Sequence, residues 1–297
     1  MSLLGLRNPC YTWDSKMKQN KIRGNKMKGL NAYQLKWIAM IGMALHHALY
    51  PWQDIMPLWL MIPMYAAGGF AFPILGYFVV EGYKHTADLK RYILRLFIFG
   101  TIAIPFYMLA LGVFRFNIMF AIIVSLLCLA LYDKLKSKVL FWLIFVLMSI
   151  PMLMFFDWVF FGPIVVMLYR LIKNETARRL VPGFVAGLLW LALSSFAMWG
   201  LIQVTPYLYT DGAMMTAEFA RAQRDMIYAM MGNTNVVISS LFFPIACVAA
   251  AFLMKNYNGE RGKKSKWLFY SFYPIHLAVI AILALLTGFA DFSVFGF

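Results

Sequence analysis

Charge is what this sequence lacks most. Only 13% of its 297 residues are Asp, Glu, Lys or Arg and 63% are hydrophobic, against about a quarter and about half in an ordinary soluble domain. Water is therefore excluded as the main solvent of the folded chain, and lipid takes its place. Acidic side chains are scarcest, 12 against 27 Lys and Arg, which leaves a formal charge of +15. There is no basic, aromatic-studded soluble domain, so a nucleic-acid partner is not expected; the positive charge suits cytoplasmic loops and anionic lipid headgroups. Cys10, Cys128 and Cys247 lie in separate segments with neither a close pair nor metal-ligand spacing, so they signal no disulfide framework or metal site. Internal repeats, low-complexity tracts and a second soluble domain are missing as well.

What the sequence has is apolar runs. A hydrocarbon core about 30 Å thick takes about 20 residues of helix. Runs near 35–51, 58–80, 92–113, 117–132, 139–156, 158–171, 181–204, 236–254 and 267–289 predict an all-α, polytopic transmembrane bundle of about nine spans. The fifth and sixth are divided only by the Phe156-Asp157-Trp158 corner, and the sixth is short enough to be re-entrant. Residues 1–29 read as a basic cytoplasmic extension with no removable signal peptide, and residues 30–290 as the transmembrane domain. Lys and Arg alternate from loop to loop as the positive-inside rule requires: 24 of the 27 fall on one side under this scheme, leaving Arg115, Arg221 and Arg224 on the other. The N-terminus is then cytoplasmic, the C-terminus outside, and the protein multi-pass in the cell membrane. The longest outer connection, about 205–235, reads as a surface-lying helix or lid.

Ionisable residues inside spans each cost roughly 2.5–3.5 kcal/mol at the centre of a lone helix, so the few present are informative. Lys36 and His47 are eleven positions apart, three turns plus about 20°, and share one face of the first helix; His46 points about 80° away. Counted from Lys266, His276 lies about 15 Å into the bilayer, a depth similar to that of His47. Two such histidines suit proton transfer, although either alone could be a buried side chain bonded to a neighbouring helix. Pro274 frees a carbonyl near Tyr270, beside Tyr273. At the inner end of the second span, Glu81 and His85 are one turn apart, as are Arg91 and Arg95. They read either as surface ion pairs or as a phosphate site. The order of Glu81 and His85 is not the helical zinc signature, so no metal is expected. Gly68-Gly69 and Pro73 read as a tight, kinked crossing, and Asn117 and Asp157 as helix caps or acceptor-side polar contacts, capping being favoured.

Leu35-Lys36-Trp37-Ile38-Ala39 with His47, Phe72-Pro73 through Glu81-Gly82, His85-Thr86, Tyr92 to Leu96, Asn117 to Phe120, the Asp157 corner, and Trp267 to Tyr270 with Tyr273-Pro274-Ile275-His276 together resemble the TraX family of conjugal-transfer membrane proteins. The resemblance covers roughly residues 28–289 and is weakest across 180–260. The namesake of that family acetylates the pilin N-terminus, and the family is similar to integral membrane acyltransferases with a basic residue and a histidine, ten positions between, in the first helix. It implies that His47 and His276 are catalytic, that Lys36, Arg91 and Arg95 hold acyl-CoA, and that His46, Glu81, His85, Tyr273, Asn117 and Asp157 support the site. Acetyl-CoA would be a co-substrate rather than a bound cofactor, and a pilin or other peptide a candidate acceptor. Lys36 replaces the usual arginine and loses its planar fork; His46 stands where such proteins often carry Asp. An acyltransferase is the expected function. A non-catalytic assembly factor of a conjugation or secretion apparatus, and a proton-coupled transporter, are the alternatives.

Overall fold

The computed structural model describes residues 29–158, 161–192 and 238–290. The N-terminal extension with Cys10, the end of the seventh predicted span and the outer 205–235 connection lie outside the described residues. Among these, nine helices follow one another: α1 (Ala32–Leu49), α2 (Leu58–His85, with a 3-10 turn at Gly68–Phe70), α3 (Leu89–Leu111), α4 (Ile118–Lys134), α5 (Lys138–Phe155), α6 (Phe161–Leu171), α7 (Glu175–Leu191), α8 (Phe243–Lys255) and α9 (Lys266–Thr287). Each overlaps one of the nine apolar runs, although α7 begins six residues ahead of the run at 181–204.

Nine helices are not nine spans by length and composition. Among the described residues, Leu58–His85, Leu89–Leu111, Ile238–Lys255 and Lys266–Thr287 are the helices long and apolar enough to cross a membrane. Helix α1 has 18 residues, but Gln34, Lys36, His46 and His47 lower its hydropathy. Helices α4 and α7 have 17 residues each, and α6 has 11, which reach about 25 Å and about 16 Å. The corner at Asp157 is therefore followed by the short element that the sequence suggested was re-entrant.

Local chemistry sets the helix ends. Asn31 and Gln34 form a reciprocal capping box at α1, both bonds being 3.0 Å. Asp88, Asn117, Ser137 and Asn174 cap α3, α4, α5 and α7 through side-chain oxygens. Helix α1 packs against α2, α3 and α9, while α9 runs along α3 and α7 pairs with α8. Small residues permit two of the closest approaches: a Cβ on Gly42 would lie 2.3 Å from the Ala67 carbonyl oxygen, and one on Gly69 would lie 2.4 Å from that of Phe243. The glycine pair before Pro73 is a packing device, as expected.

The loop between α8 and α9 folds back over the start of α1. Leu30 N–H donates to Asn256 O (3.0 Å), Asn258 N–H to Leu30 O (2.9 Å) and Ala32 N–H to Glu260 O (2.8 Å). These bonds hold Arg261, Lys263 and Lys266 beside Lys36 at what is here termed the basic end of the bundle.

Candidate functional site

The packing of α1 on α9 brings together side chains 229 residues apart: His47 Nδ1 lies 2.9 Å from His276 Nε2, both rings buried and within 9° of coplanar. The other nitrogen of His276, Nδ1, is 2.9 Å from the Phe272 carbonyl oxygen. A carbonyl only accepts, so Nδ1 of His276 carries its hydrogen. In a neutral ring Nε2 is then a lone pair, and it accepts from the N–H at Nδ1 of His47. The chain of donors fixes the His47 tautomer and leaves Nε2 of His47 as a bare lone pair. A buried imidazole oriented this way is the arrangement a general base needs. Phe272 stacks on His276 at 5.1 Å between centroids, and Tyr107 and Tyr273 stand edge-on to His47, each at 6.2 Å.

His46 has a separate set of partners. Its Nδ1 donates to Tyr65 O (3.1 Å), so its Nε2 accepts from the Tyr50 hydroxyl (3.3 Å). The histidine pair that forms is His47 with His276.

Two cavities lie near that pair: His47 itself lines the smaller, and the larger reaches Tyr273, whose ring stands beside both histidines. The larger, about 210 Å³, begins among Tyr33, Lys36, Arg261, Lys263 and Lys266 and ends at Met43, Met119 and Tyr273. The smaller, about 40 Å³, is lined by Met43, His46, His47, Tyr50, Asp157 and the aromatic walls Trp158, Trp190 and Phe243. Met43, one turn before His47 on α1, touches both.

The other anticipated residues divide among these places. Lys36 lines the larger cavity, its ammonium 4.9 Å from the Phe78 ring and 5.3 Å from that of Phe269. Arg91 is exposed and ion-paired to Asp88 at 3.0 Å, and Arg95 packs on the Tyr270 ring; neither is among the cavity's lining residues. Its basic lining is instead Lys36 with Arg261, Lys263 and Lys266, whose loop reads in the sequence only as a cytoplasmic, lipid-facing charge cluster. Glu81 pairs with Lys84 at 3.1 Å, with His85 at 3.7 Å and with Arg178, which also donates to Tyr169 O at 2.8 Å. That network clasps α2 to the start of α7, away from both cavities, and leaves the His85 side chain exposed. Asn117 caps α4 by accepting from Met119 N–H (3.1 Å) and donates to Gly100 O (2.9 Å).

Asp157 lines the smaller cavity, four residues ahead of the first described residue of α6, and takes a hydrogen bond from the Tyr107 hydroxyl. Of the two readings the sequence allows, cap or polar contact, the structure favours the contact, because a corner residue's direction is set by tertiary packing, which spacing does not encode. Burial holds its carboxyl above the usual carboxylate range, with Arg115 and Tyr107 pulling the other way. Tyr50 and Tyr107 carried no sequence signal, since tyrosine is common in apolar helices. Only their proximity to His46 and His47 marks them.

Comparison with known proteins follows this geometry. A family model described as TraX protein matches residues 31–284. A curated protein of Dichelobacter nodosus, described as probable fimbrial assembly protein FimC, serogroup H1, is 40% identical over 78 residues, which cover 26% of this chain and 31% of that protein. The chain thus matches about a third of the length of this curated relative. No solved structure matches.

Proposed function

The chain belongs to the TraX family, and from that membership and the buried histidine pair we propose that it is an integral membrane acyltransferase. It transfers an acetyl or similar acyl group from cytosolic acyl-CoA to an amine or hydroxyl acceptor, such as a pilin-like peptide or another envelope molecule. The protein is multi-pass in the cell membrane with the start of α1 cytoplasmic, as the concentration of Lys and Arg at the basic end supports.

The observation that carries the reading is the 2.9 Å contact between His47 and His276, set near a long cavity with a basic mouth and a small one with a carboxylate. Lys36, Arg261, Lys263 and Lys266 hold the CoA phosphates, and the pantetheine arm runs down the larger cavity towards Met43 and Tyr273. The acceptor approaches from the smaller cavity. Nε2 of His47 takes its proton as it attacks the thioester carbon, and His276 holds the N–H at Nδ1 of His47 and shares the charge of the imidazolium that forms. Asp157 among aromatic walls favours an acceptor bearing an amine, because carboxylate and ring faces both attract a cation.

One finding favours a second reading, a non-catalytic assembly role: the curated relative is described as a fimbrial assembly protein. Purified protein in lipid, given radiolabelled acetyl-CoA, separates the two. Turnover, as hydrolysis or transfer, that is lost in His47→Ala supports the enzyme. A folded wild type with no CoA binding and no turnover refutes it and puts the assembly role first.

A further inference from the structure

Tyr273 sits one helical turn before His276 on α9. It is 1% exposed, and its ring edge faces His276 at 5.3 Å and His47 at 6.2 Å. Its hydroxyl is buried and no acceptor takes its hydrogen, although the backbone N–H of Ile118 lies against its oxygen. Ile118 is the first residue of α4, so that N–H belongs to the unbonded end of a helix. Both residues line the larger cavity at its deep end.

A buried O–H with no acceptor carries a desolvation cost that phenylalanine would remove, although at Tyr273 it would also take away the oxygen that the Ile118 N–H lies against. Tyr77 and Tyr169 also have unpaired buried hydroxyls, but their rings face each other at 5.4 Å and line neither cavity. Among the described residues, Tyr273 couples an uncommitted donor to a cavity and to the histidine pair. A donor without a ground-state partner is what charge developing in a transition state requires.

Resting on the acyltransferase reading, we propose that Tyr273 is a catalytic residue: its hydroxyl donates to the thioester carbonyl oxygen as negative charge builds there. The acceptor's nitrogen or oxygen bonds to the carbonyl carbon while its proton moves to Nε2 of His47. The carbonyl π pair goes to oxygen and is held by the Tyr273 O–H. When the carbonyl re-forms, the C–S bond breaks with its electron pair on sulfur, and the proton on His47 passes to the thiolate, releasing CoA thiol. The N–H of Ile118, backed by the α4 dipole, makes the tyrosine oxygen a poorer acceptor and its hydrogen a better donor.

The test compares Tyr273→Phe with wild type in lipid, measuring kcat and KM for acetyl-CoA and the thermal midpoint, with Tyr77→Phe as a control. We expect Tyr273→Phe to lower kcat about 10²–10³-fold, to leave KM within a factor of about three, and to melt close to the wild-type temperature, since the unused O–H and the Ile118 N–H contact are lost together. Tyr77→Phe keeps wild-type kcat. Wild-type kcat in Tyr273→Phe, or equal losses in both variants, overturns the assignment and leaves the acyltransferase standing. A wild type with no turnover removes the parent reading and this assignment together.

Discussion

Replacing His276 tests the tautomer chain directly. In His276→Leu the N–H at Nδ1 of His47 loses its acceptor, which is 2.9 Å away in the native protein. A buried donor left without a partner costs about 1–3 kcal/mol. The ring escapes that cost by moving its hydrogen to Nε2, and this tautomer cannot accept a proton from the substrate. A bias of that size corresponds to about a 5- to 150-fold smaller active fraction, and kcat should fall by at least that factor. Its floor is the His47→Ala rate, about 10²–10⁴-fold below wild type. His276 lines neither cavity, so KM for acyl-CoA should not change. His276→Gln is the informative companion. The end of its side chain reaches the place of Nε2, and its amide oxygen accepts the same N–H, so kcat should recover to within about tenfold of wild type. The assay is steady-state release of CoA thiol from acetyl-CoA by each variant in nanodiscs, with the acceptor concentration held constant. Full activity in His276→Leu, or a Gln variant as slow as the Leu variant, would refute the account of how His47 is oriented.

Two further outcomes follow from where the charges lie. Arg261→Ala with Lys263→Ala should raise KM for acyl-CoA by roughly 2- to 30-fold, as two partly exposed charge contacts are worth. The same kinetics should show no change for Arg91→Ala, whose guanidinium is exposed and paired to Asp88. Glu81→Gln strands the buried Arg178, which keeps Glu175 at 3.3 Å as a weaker, more exposed partner. Thermal unfolding in detergent should report a loss of about 3 kcal/mol, the low end for breaking a buried pair.

Helix positions were legible in the sequence because apolar runs of about 20 residues mean one thing in lipid. The span count was less so, because length decides whether a helix crosses, and the described part of α6 has only 11 residues. Depth counting brought His47 and His276 to the same level, and the fold joins them. Counting could not say that His46 would turn to the Tyr65 carbonyl, because that carbonyl lies beside the 3-10 turn at Gly68–Phe70. Nor could it separate Arg91 from Lys263. Both read as inner-loop cations, and which of them overhangs the cavity depends on the backbone bonds from Leu30 and Ala32 to the loop at 256–260. Glu81 and Arg178 illustrate the converse: an in-span carboxylate that looked like part of a site is the clasp between two helices.

Under the proposed acyltransferase function, the interval between Lys36 and His47 acquires a physical reason. Eleven residues of helix rise about 16 Å. From its phosphate to its sulfur, a phosphopantetheine arm has about twelve single-bond steps; at the reach of an extended chain, 3.3–3.6 Å for every three bonds, it spans about 14 Å. A phosphate held near the Lys36 ammonium would then carry its thioester to about the level of His47. Ten intervening residues also keep both side chains on one face, where a shift of one or two would rotate them apart by about 100° or 200°. At this position lysine supplies what the geometry asks for. Its ammonium lies 4.9 and 5.3 Å from two aromatic rings, which anchor a point charge without using its donors.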